Sequence, residues 1–509
     1  MKDTALSPSS ADLLGQPFAD YSNLLRAQAA EQPDKIAIAD EHARISWAEL
    51  DDKVERVAAR LQAEGIGKGE TVAIAGLNSI AYGIVFLAAI RTGAAAAPLT
   101  HSATPEALSA MLADSGARHL FADPGLELNV PDGVDRIALD ALNDWMPPVG
   151  TRSAPVVAQP DDPFNIIYSS GTTGTPKGIV QSHQMRWNYL VRGGVYDRHA
   201  VTILSTPLYS NTTLVSFLPC LGFGGSVVLM KKFDARRFLE LSERERVTHA
   251  MLVPVQYRRI MALEDFGRFD LSSYRLKFCT SAPFAAELKH DILDRWPGGL
   301  VEFYGMTEGG ASCVLVAHEH PGKLHTVGRV APNSEMKLID EEGREVPPGG
   351  VGEVVGRGPM MMNGYKGRDE ATRAAEWFDA DGRRFIRHGD VGRFDEDGFL
   401  ILMDRTKDMI ISGGFNIYPS DLETVLAAEP GVVEAAVVGV PHPDWGETPV
   451  AFAVLAPGTD RDAVLAAANA KLGKTQRIAA LHQVDQLPRS AIGKVLKREL
   501  RDSLQGKSV

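Results

Sequence analysis

Residues 168–178 read Tyr-Ser-Ser-Gly-Thr-Thr-Gly-Thr-Pro-Lys-Gly, which crowds glycines, hydroxyls and a lysine into one short stretch. Glycine lets the backbone approach a ligand with its N–H groups exposed as donors. Ser169, Ser170, Thr172, Thr173 and Thr175 add hydroxyl donors, and Lys177 adds a positive charge on a long stem. That set suits a polyphosphate, and an ordinary polar turn between two strands is the plainer alternative. A simple hairpin needs only about two to five turn residues, so the stretch is long and hydroxyl-rich for mere connection. The pattern G-x-x-x-x-G-K-[ST] does not fit, because Pro176 stands where its second glycine belongs. Phe164–Tyr168 and Gly178–Val180 read as buried strands entering and leaving the loop, with no helix directly after it. The loop therefore cannot rely on a helix N-terminus to hold phosphate.

Further stretches follow in order. They are Glu302-Phe303-Tyr304-Gly305-Met306-Thr307-Glu308, Gly352-Glu353-Val354 with Asn363-Gly364-Tyr365, and His388-Gly389-Asp390. After these come Asp404-Arg405-Thr406-Lys407-Asp408, Ser412–Pro419 (SGGFNIYP) and Pro488–Lys494 (PRSAIGK). Together with the loop, this series resembles the adenylate-forming superfamily of acyl- and aryl-CoA synthetases, nonribosomal adenylation domains and firefly luciferase. The resemblance runs from about residue 30 to residue 500.

The elements that must position these residues fall into a recognisable order. Short apolar strands alternate with longer helical segments from about residue 30 to 330, which argues for layered α/β sheets with parallel strands. Thr71–Ala75, a helix to Arg91 and Ala94–Leu99 form one example; Ser226–Met230, Ala235–Glu245 and Ala250–Val253 form another. Residues 126–162, rich in proline and aspartate, read as a surface connection. From 336 to 403 the rhythm shortens to closely spaced strands with Gly and Pro turns, read as a small all-β unit. A charged break at 404–408 precedes a new α+β pattern. The resemblance implies a large N-terminal part, residues 1–403, made of two layered α/β subdomains and a small distorted β-barrel. It also implies a hinge at 404–408 centred on Lys407, and a small mobile α+β domain over 409–509 that carries the catalytic lysine.

Composition sets outer limits. The chain has 509 residues, 44% apolar and 23% charged, the balance of an ordinary globular protein. Lys plus Arg number 53 against 65 Asp plus Glu, for a net charge of −12 with no long basic block, which disfavours nucleic acid as a partner. Cys220, Cys279 and Cys313 lie in apolar surroundings without metal-ligand spacing and read as buried thiols. No signal architecture opens the chain, and Asn78, Ser79 and Arg91 interrupt the apolar run at 71–98, so no membrane span and a cytoplasmic setting are expected. A homodimer is left open.

The resemblance implies a two-step reaction. A carboxylate attacks the α-phosphate of ATP to give an acyl-adenylate and pyrophosphate, and a thiol, usually that of CoA, then displaces AMP. Ser169, Ser170, Thr172, Thr173 and Lys177 would hold ATP phosphates. Thr307 would contact the adenylate phosphate, and Glu308, with Thr172, would bind Mg²⁺, a hard cation suited to oxygen ligands. Tyr304 would stack on adenine, with Ser281, Ala282 and Pro283 on the other side. Asp390 would accept the ribose hydroxyls, with Arg405 reaching the ribose or the phosphate. Lys494 would stabilise charge between carboxylate and α-phosphate as the bond forms. Rotation at Lys407 would withdraw it and bring Gly413, Gly414 and Phe415 to the site for CoA. Taken alone, Glu308 and Lys494 read as solvated charges, and Asp390 with Arg405 as a surface ion pair.

The acyl pocket departs from the family's pattern. Residues 207–210 read Pro-Leu-Tyr-Ser where many CoA ligases have an aromatic residue followed by histidine, so in a pocket that includes Tyr209 the smaller, uncharged Ser210 would change the entrance or the acyl-group gate. His388 stands where Thr or Ser is common, and Asp404 stands where Gly is usual. Asn211-Thr212-Thr213 offers no aspartate for a substrate amine, which argues against amino acids. Asn211 would read a hydroxyl or amide on the acid, or simply hold water. Residues 251–257, including Val253 and Gln256, would supply an apolar wall. The reading is an AMP-forming carboxylate–CoA ligase for an aryl or short-to-medium-chain fatty acid, with Mg²⁺ as cofactor and ATP and CoA as co-substrates. The alternative is a stand-alone adenylation enzyme that loads a carrier protein.

Overall fold

A computed structural model describes residues 8–169, 177–191, 194–405, 408–412, 415–443, 445–473, 476–490 and 493–504. The expectations placed on Ser170, Thr172, Thr173, Lys407, Gly413 and Gly414 lie outside the described residues, as do those for the side chains of Ser169, Arg405 and Phe415.

The chain forms two compact units. The first comprises residues 1–324, 331–335 and 356–386; the second comprises 325–330, 336–355 and 387–509. In the first unit a seven-stranded sheet runs in the order Gly364–Tyr365, Lys177–Ser182, Pro163–Ser169, Ala95–Pro98, Thr71–Ala75, His119–Ala122, Asp135–Ala138. The strands from Ala95–Pro98 to Asp135–Ala138 pair in parallel, and Thr71–Ala75 and Ala95–Pro98 are buried at every residue. Burial on both faces is what continuous apolar strands predict. A second sheet orders Cys313–Val316, Gly299–Tyr304, Leu276–Cys279, His249–Leu252, Val201–Leu204, Ser226–Leu229, Ile36–Ala39 and Arg44–Ser46. It is parallel from Gly299–Tyr304 to Ile36–Ala39.

The apolar run at 71–98 folds as strand, helix and strand. Ser79 caps the helix Ile80–Arg91 by accepting from the Tyr82 amide at 3.2 Å, and every helical residue but Ala81 is buried. Arg91, at its end, is buried against Asp51 at 2.6 Å and Glu55 at 3.1 Å. Burial alone would raise the Glu55 carboxyl, but Ser153 hydrogen bonds and the Arg91 charge bring it down to about 2. No helix among the described residues is long and apolar enough to cross a membrane. Residues 126–162 form less of a plain connection than expected, since they contain the strand Asp135–Ala138 and the short helix Leu142–Trp145. The all-β stretch likewise includes the helix Asp369–Ala374.

The second unit builds a five-stranded sheet from Phe415–Ile417, Ile410–Ser412, Gly446–Leu455, Val432–His442 and Ala480–Gln483. Leu422 and Leu426 of the helix Pro419–Ala427 and Ala468 of the helix Arg461–Lys471 join Val437 and Ala451 in its core. The expected α+β pattern is present in this region.

Candidate active site

The loop's flanking strands pair as a hairpin. Ile166 faces Val180, Tyr168 faces Gly178 and Ser169 faces Lys177, with the helix His183–Val191 beginning only after the second strand. Gly178 is needed at this pairing, because a Cβ there would stand 2.9 Å from the Ile166 side chain. Tyr168 anchors the hairpin base by donating to Asp114 at 2.9 Å, and Arg368 pairs with the same carboxylate at 3.2 Å.

Gly364–Tyr365 adds a third strand to this hairpin, with Tyr365 opposite Ile179. Lys177 Nζ stands 5.1 Å from the centre of the Tyr365 ring, and the Tyr365 hydroxyl donates to Glu308 Oε1 at 2.8 Å. One tyrosine thus gathers the loop lysine and the candidate metal-binding carboxylate. Burial, reinforced by the Glu308 charge, raises the Tyr365 phenol and keeps it a donor. Sequence reasoning marked Asn363-Gly364-Tyr365 as a motif but gave Tyr365 no role.

The turn holding Thr307 and Glu308 leaves the strand Gly299–Tyr304, whose Tyr304 lies opposite Cys313. Gly309 and Gly310 close it with φ of 79° and 88°, where a side chain is strained. A Cβ at Gly309 would also fall 1.6 Å from the Met360 carbonyl oxygen. The Met362 amide donates to the Glu308 carbonyl at 2.8 Å, and Gln181 Nε2 donates to the Thr307 carbonyl at 2.7 Å. Thr307, Glu308 and Tyr304 are all half-buried. No cluster of three or more His, Cys, Asp or Glu side chains suited to a metal occurs among the described residues. A Mg²⁺ held by one carboxylate, substrate phosphates and water fits that sparse donor set, whereas an all-protein cage does not.

The stretch expected beside adenine meets the acyl-pocket stretch. Ser281 has a φ of 82°, and its hydroxyl lies 2.5 Å from that of Thr212. Ala282 is half-buried and Pro283 is exposed. Ser210 is the N-cap of the helix Asn211–Gly222 and accepts from the Thr212 amide at 3.3 Å. This structural duty was readable from a serine directly ahead of an apolar helix. Tyr209 is buried, edge-on to His101 at 5.3 Å and 3.2 Å from the Ser102 hydroxyl. The Gln256 amide is spent on structure, accepting from Val253 N and donating to Ser205, each at 3.2 Å. Asn211 Oδ1 differs: it is buried and has no hydrogen-bond partner among the described residues.

In the second unit Asp390 lies opposite Arg405 in the antiparallel pair of Arg384–Phe394 with Leu400–Arg405, so the two residues expected at the ribose share one cross-strand position. His388, two residues before, is buried, and burial pushes its imidazole down to about 4 despite the nearby Asp390 charge. Lys494 sits in a turn whose ends are tied by pairing of Arg489 with Val495. The Ser490 amide donates to the Lys494 carbonyl at 2.8 Å, and the Lys494 amide donates to Ser490 Oγ at 3.2 Å. Gly493 takes a φ of 77°, and Arg489 binds its carbonyl at 2.7 Å.

Residues 25–366 match the AMP-binding enzyme family, and residues 421–494 match the AMP-binding enzyme C-terminal domain. The chain is 36% identical to a feruloyl-CoA synthase of Amycolatopsis sp., over 93% of this chain and 97% of the relative. It is 33% identical to an indoleacetate–CoA ligase of Aromatoleum aromaticum, over 96% and 99%. Among solved structures, ATP-bound MatB from Rhodopseudomonas palustris matches with a TM-score of 0.85 at 30% identity, covering 95% of this chain and 99% of that one. The chain belongs to the AMP-binding enzyme family and is an AMP-forming acid–thiol ligase of the CoA synthetase kind.

Proposed function

We propose that this ligase activates an aromatic carboxylic acid bearing a hydroxyl or N–H donor and passes it to CoA. The observation that carries the proposal is Asn211 Oδ1, a buried acceptor with no partner among the described residues. Leaving such a group unsatisfied costs about 1–3 kcal/mol, which a substrate donor would recover and a saturated acyl chain would not. The feruloyl and indoleacetate relatives support the same class, since their acids are aromatic and carry an O–H and an N–H respectively.

In the first half-reaction the substrate carboxylate oxygen bonds to the α-phosphorus, and the bond to the bridging oxygen breaks to release pyrophosphate. Lys177 and the loop hydroxyls of Thr172 and Thr173 hold the departing phosphates, while Thr307 holds the adenylate phosphate. Glu308 and Thr172 would hold Mg²⁺, which supplies charge neutralisation on the phosphates. Tyr365 keeps the Glu308 carboxylate oriented for that role. Tyr304 and Ser281–Pro283 take the adenine, Asp390 and Arg405 the ribose, and Lys494 the charge that develops between acid and α-phosphate. In the second half-reaction the CoA sulfur attacks the acyl carbon and AMP leaves, with Gly413, Gly414 and Phe415 beside the thiol arm after rotation about 404–408. The cytoplasm is the setting that keeps three buried, unbridged thiols reduced.

A panel of acids scored by pyrophosphate release and acyl-CoA formation tests this. A phenolic arylalkenoic acid should exceed its deoxy counterpart in kcat/KM by about tenfold or more, and Asn211→Val should erase that ratio. Equal turnover of octanoate, or transfer to a carrier protein in preference to CoA, would overturn the reading.

A further inference from the structure

Three polar side chains lie where the hairpin's packing would accept apolar ones. Asn165 and Gln181 are cross-strand partners on the two strands that flank the phosphate loop, and both are fully buried. Arg186, on the helix that follows, is only 4% exposed. Burying two amides and a guanidinium is costly unless their bonds do something an apolar trio could not.

The bonds form a chain with one direction. Arg186 Nε donates to Asn165 Oδ1 at 2.7 Å, Asn165 Nδ2 donates to Gln181 Oε1 at 3.0 Å, and Gln181 Nε2 donates to the Thr307 carbonyl at 2.7 Å. Each acceptor is also the next donor, so the Arg186 charge polarises the whole run toward Thr307. Arg186 Nη1 and Nη2 are buried without hydrogen-bond partners among the described residues, and its guanidinium carbon stands 5.9 Å from the Tyr189 ring. Stability alone gives no reason to keep a cation in that state. Burial pushes the guanidinium down to about 10, still protonated near neutrality.

We propose that Arg186, Asn165 and Gln181 are positioning residues that lock Thr307 in register with the two strands of the phosphate hairpin. Both sides of that register are set by one amide: Gln181 belongs to the hairpin strand and grips the turn 126 residues away. A shift of the turn along the hairpin would break that bond and leave the Thr307 carbonyl and a buried Gln181 N–H unpaired together, while the two bonds behind Gln181 keep its amide from following the turn. The inference rests on Thr307 contacting the adenylate phosphate.

The test separates positioning from folding. Gln181→Leu should lower kcat for adenylation, read by ATP–pyrophosphate exchange, by about five- to tenfold with KM for the acid unchanged, and should also lower Tm. The triple variant Asn165→Leu, Gln181→Leu, Arg186→Met removes all three polar side chains of the run, leaving only the Thr307 carbonyl without its donor. It should recover most of the lost Tm, because replacing buried polar partners together is close to neutral. Its adenylation kcat should stay low, since the Thr307 carbonyl still lacks its donor. Recovery of kcat together with Tm, or a Gln181→Leu enzyme with normal kcat once the folded fraction is counted, would overturn the proposal. Thr307→Ala is the control arm: its collapse alongside a fully active triple variant would sink the relay alone. Undiminished exchange in Thr307→Ala would remove the reading of Thr307 and the relay with it.

Discussion

Lys177 and Lys494 sit in opposite kinds of surroundings. Lys177 opens a strand in the sheet of the first unit, faces the Tyr365 ring and is coupled through that ring to Glu308. Lys494 belongs to the second unit and stands in a turn tied by Ser490, Arg489 and Gly493 rather than within a sheet. The difference matches the two kinds of work proposed for them. A group that holds phosphates gains from surroundings fixed before substrate arrives. A group proposed to act in only one half-reaction gains from being carried on a separate compact unit.

The strongest way to break this comparison is to remove the second lysine. Lys494→Ala should lower adenylation by about 100- to 1000-fold, the scale seen when a group aimed at developing charge is lost. Thioester formation from pre-made acyl-adenylate and CoA should stay within about threefold of the parent enzyme. Pyrophosphate exchange and acyl-CoA release read the two halves separately. Equal loss in both would mean that Lys494 is not confined to the first.

A smaller effect sharpens the other side. Tyr365→Phe keeps the ring against Lys177 and deletes only the hydroxyl that orients Glu308. The Mg²⁺ concentration for half-maximal pyrophosphate release should rise about tenfold, the usual cost of losing a group that orients a metal ligand. Tm should change little, because the hydroxyl is replaced within a pocket that retains the ring. An unchanged Mg²⁺ requirement would detach Tyr365 from the metal and leave it a packing residue.

The sequence carried local signals for single stretches and left the contacts between stretches hidden. Glycines and hydroxyls at 169–178 pointed to phosphate because those residue types serve it whatever lies around them. The strands at 71–75 and 163–169 and the helix at 80–91 were readable because apolar runs and caps are local signals. Tyr365 against Glu308 spans 57 residues and Gln181 against Thr307 spans 126, and no periodicity encodes such pairs. Ser210 shows the intermediate case. Its cap was available from the serine ahead of an apolar helix, but comparison with a missing histidine drew attention to what the residue lacks instead of what it does.

The smallest expected effect compares the two units by acid. Each holds a buried histidine neutral: His249 in the first and His388 in the second, both pushed down to about 4 chiefly by burial. His249 is fixed with Nε2 3.1 Å from the Val195 carbonyl and Nδ1 2.7 Å from the Thr248 hydroxyl, and the Arg275 charge adds to the depression. An unfolded histidine takes up its proton near pH 6.5, so between about 6.5 and 4 the unfolded chain binds more protons than the folded one. Stability from these rings is therefore complete above about pH 6.5 and declines as pH falls toward 4. His249→Gln retains an amide N–H for Val195 but cannot titrate, so the fall in Tm between pH 7 and 5 should shrink by a few degrees. Protection of the second unit's amides against hydrogen exchange should keep the parent's pH dependence, because His388 is untouched. If the second unit's acid response flattened as well, the two histidines would not be titrating independently, and the acid comparison of the two units would fail.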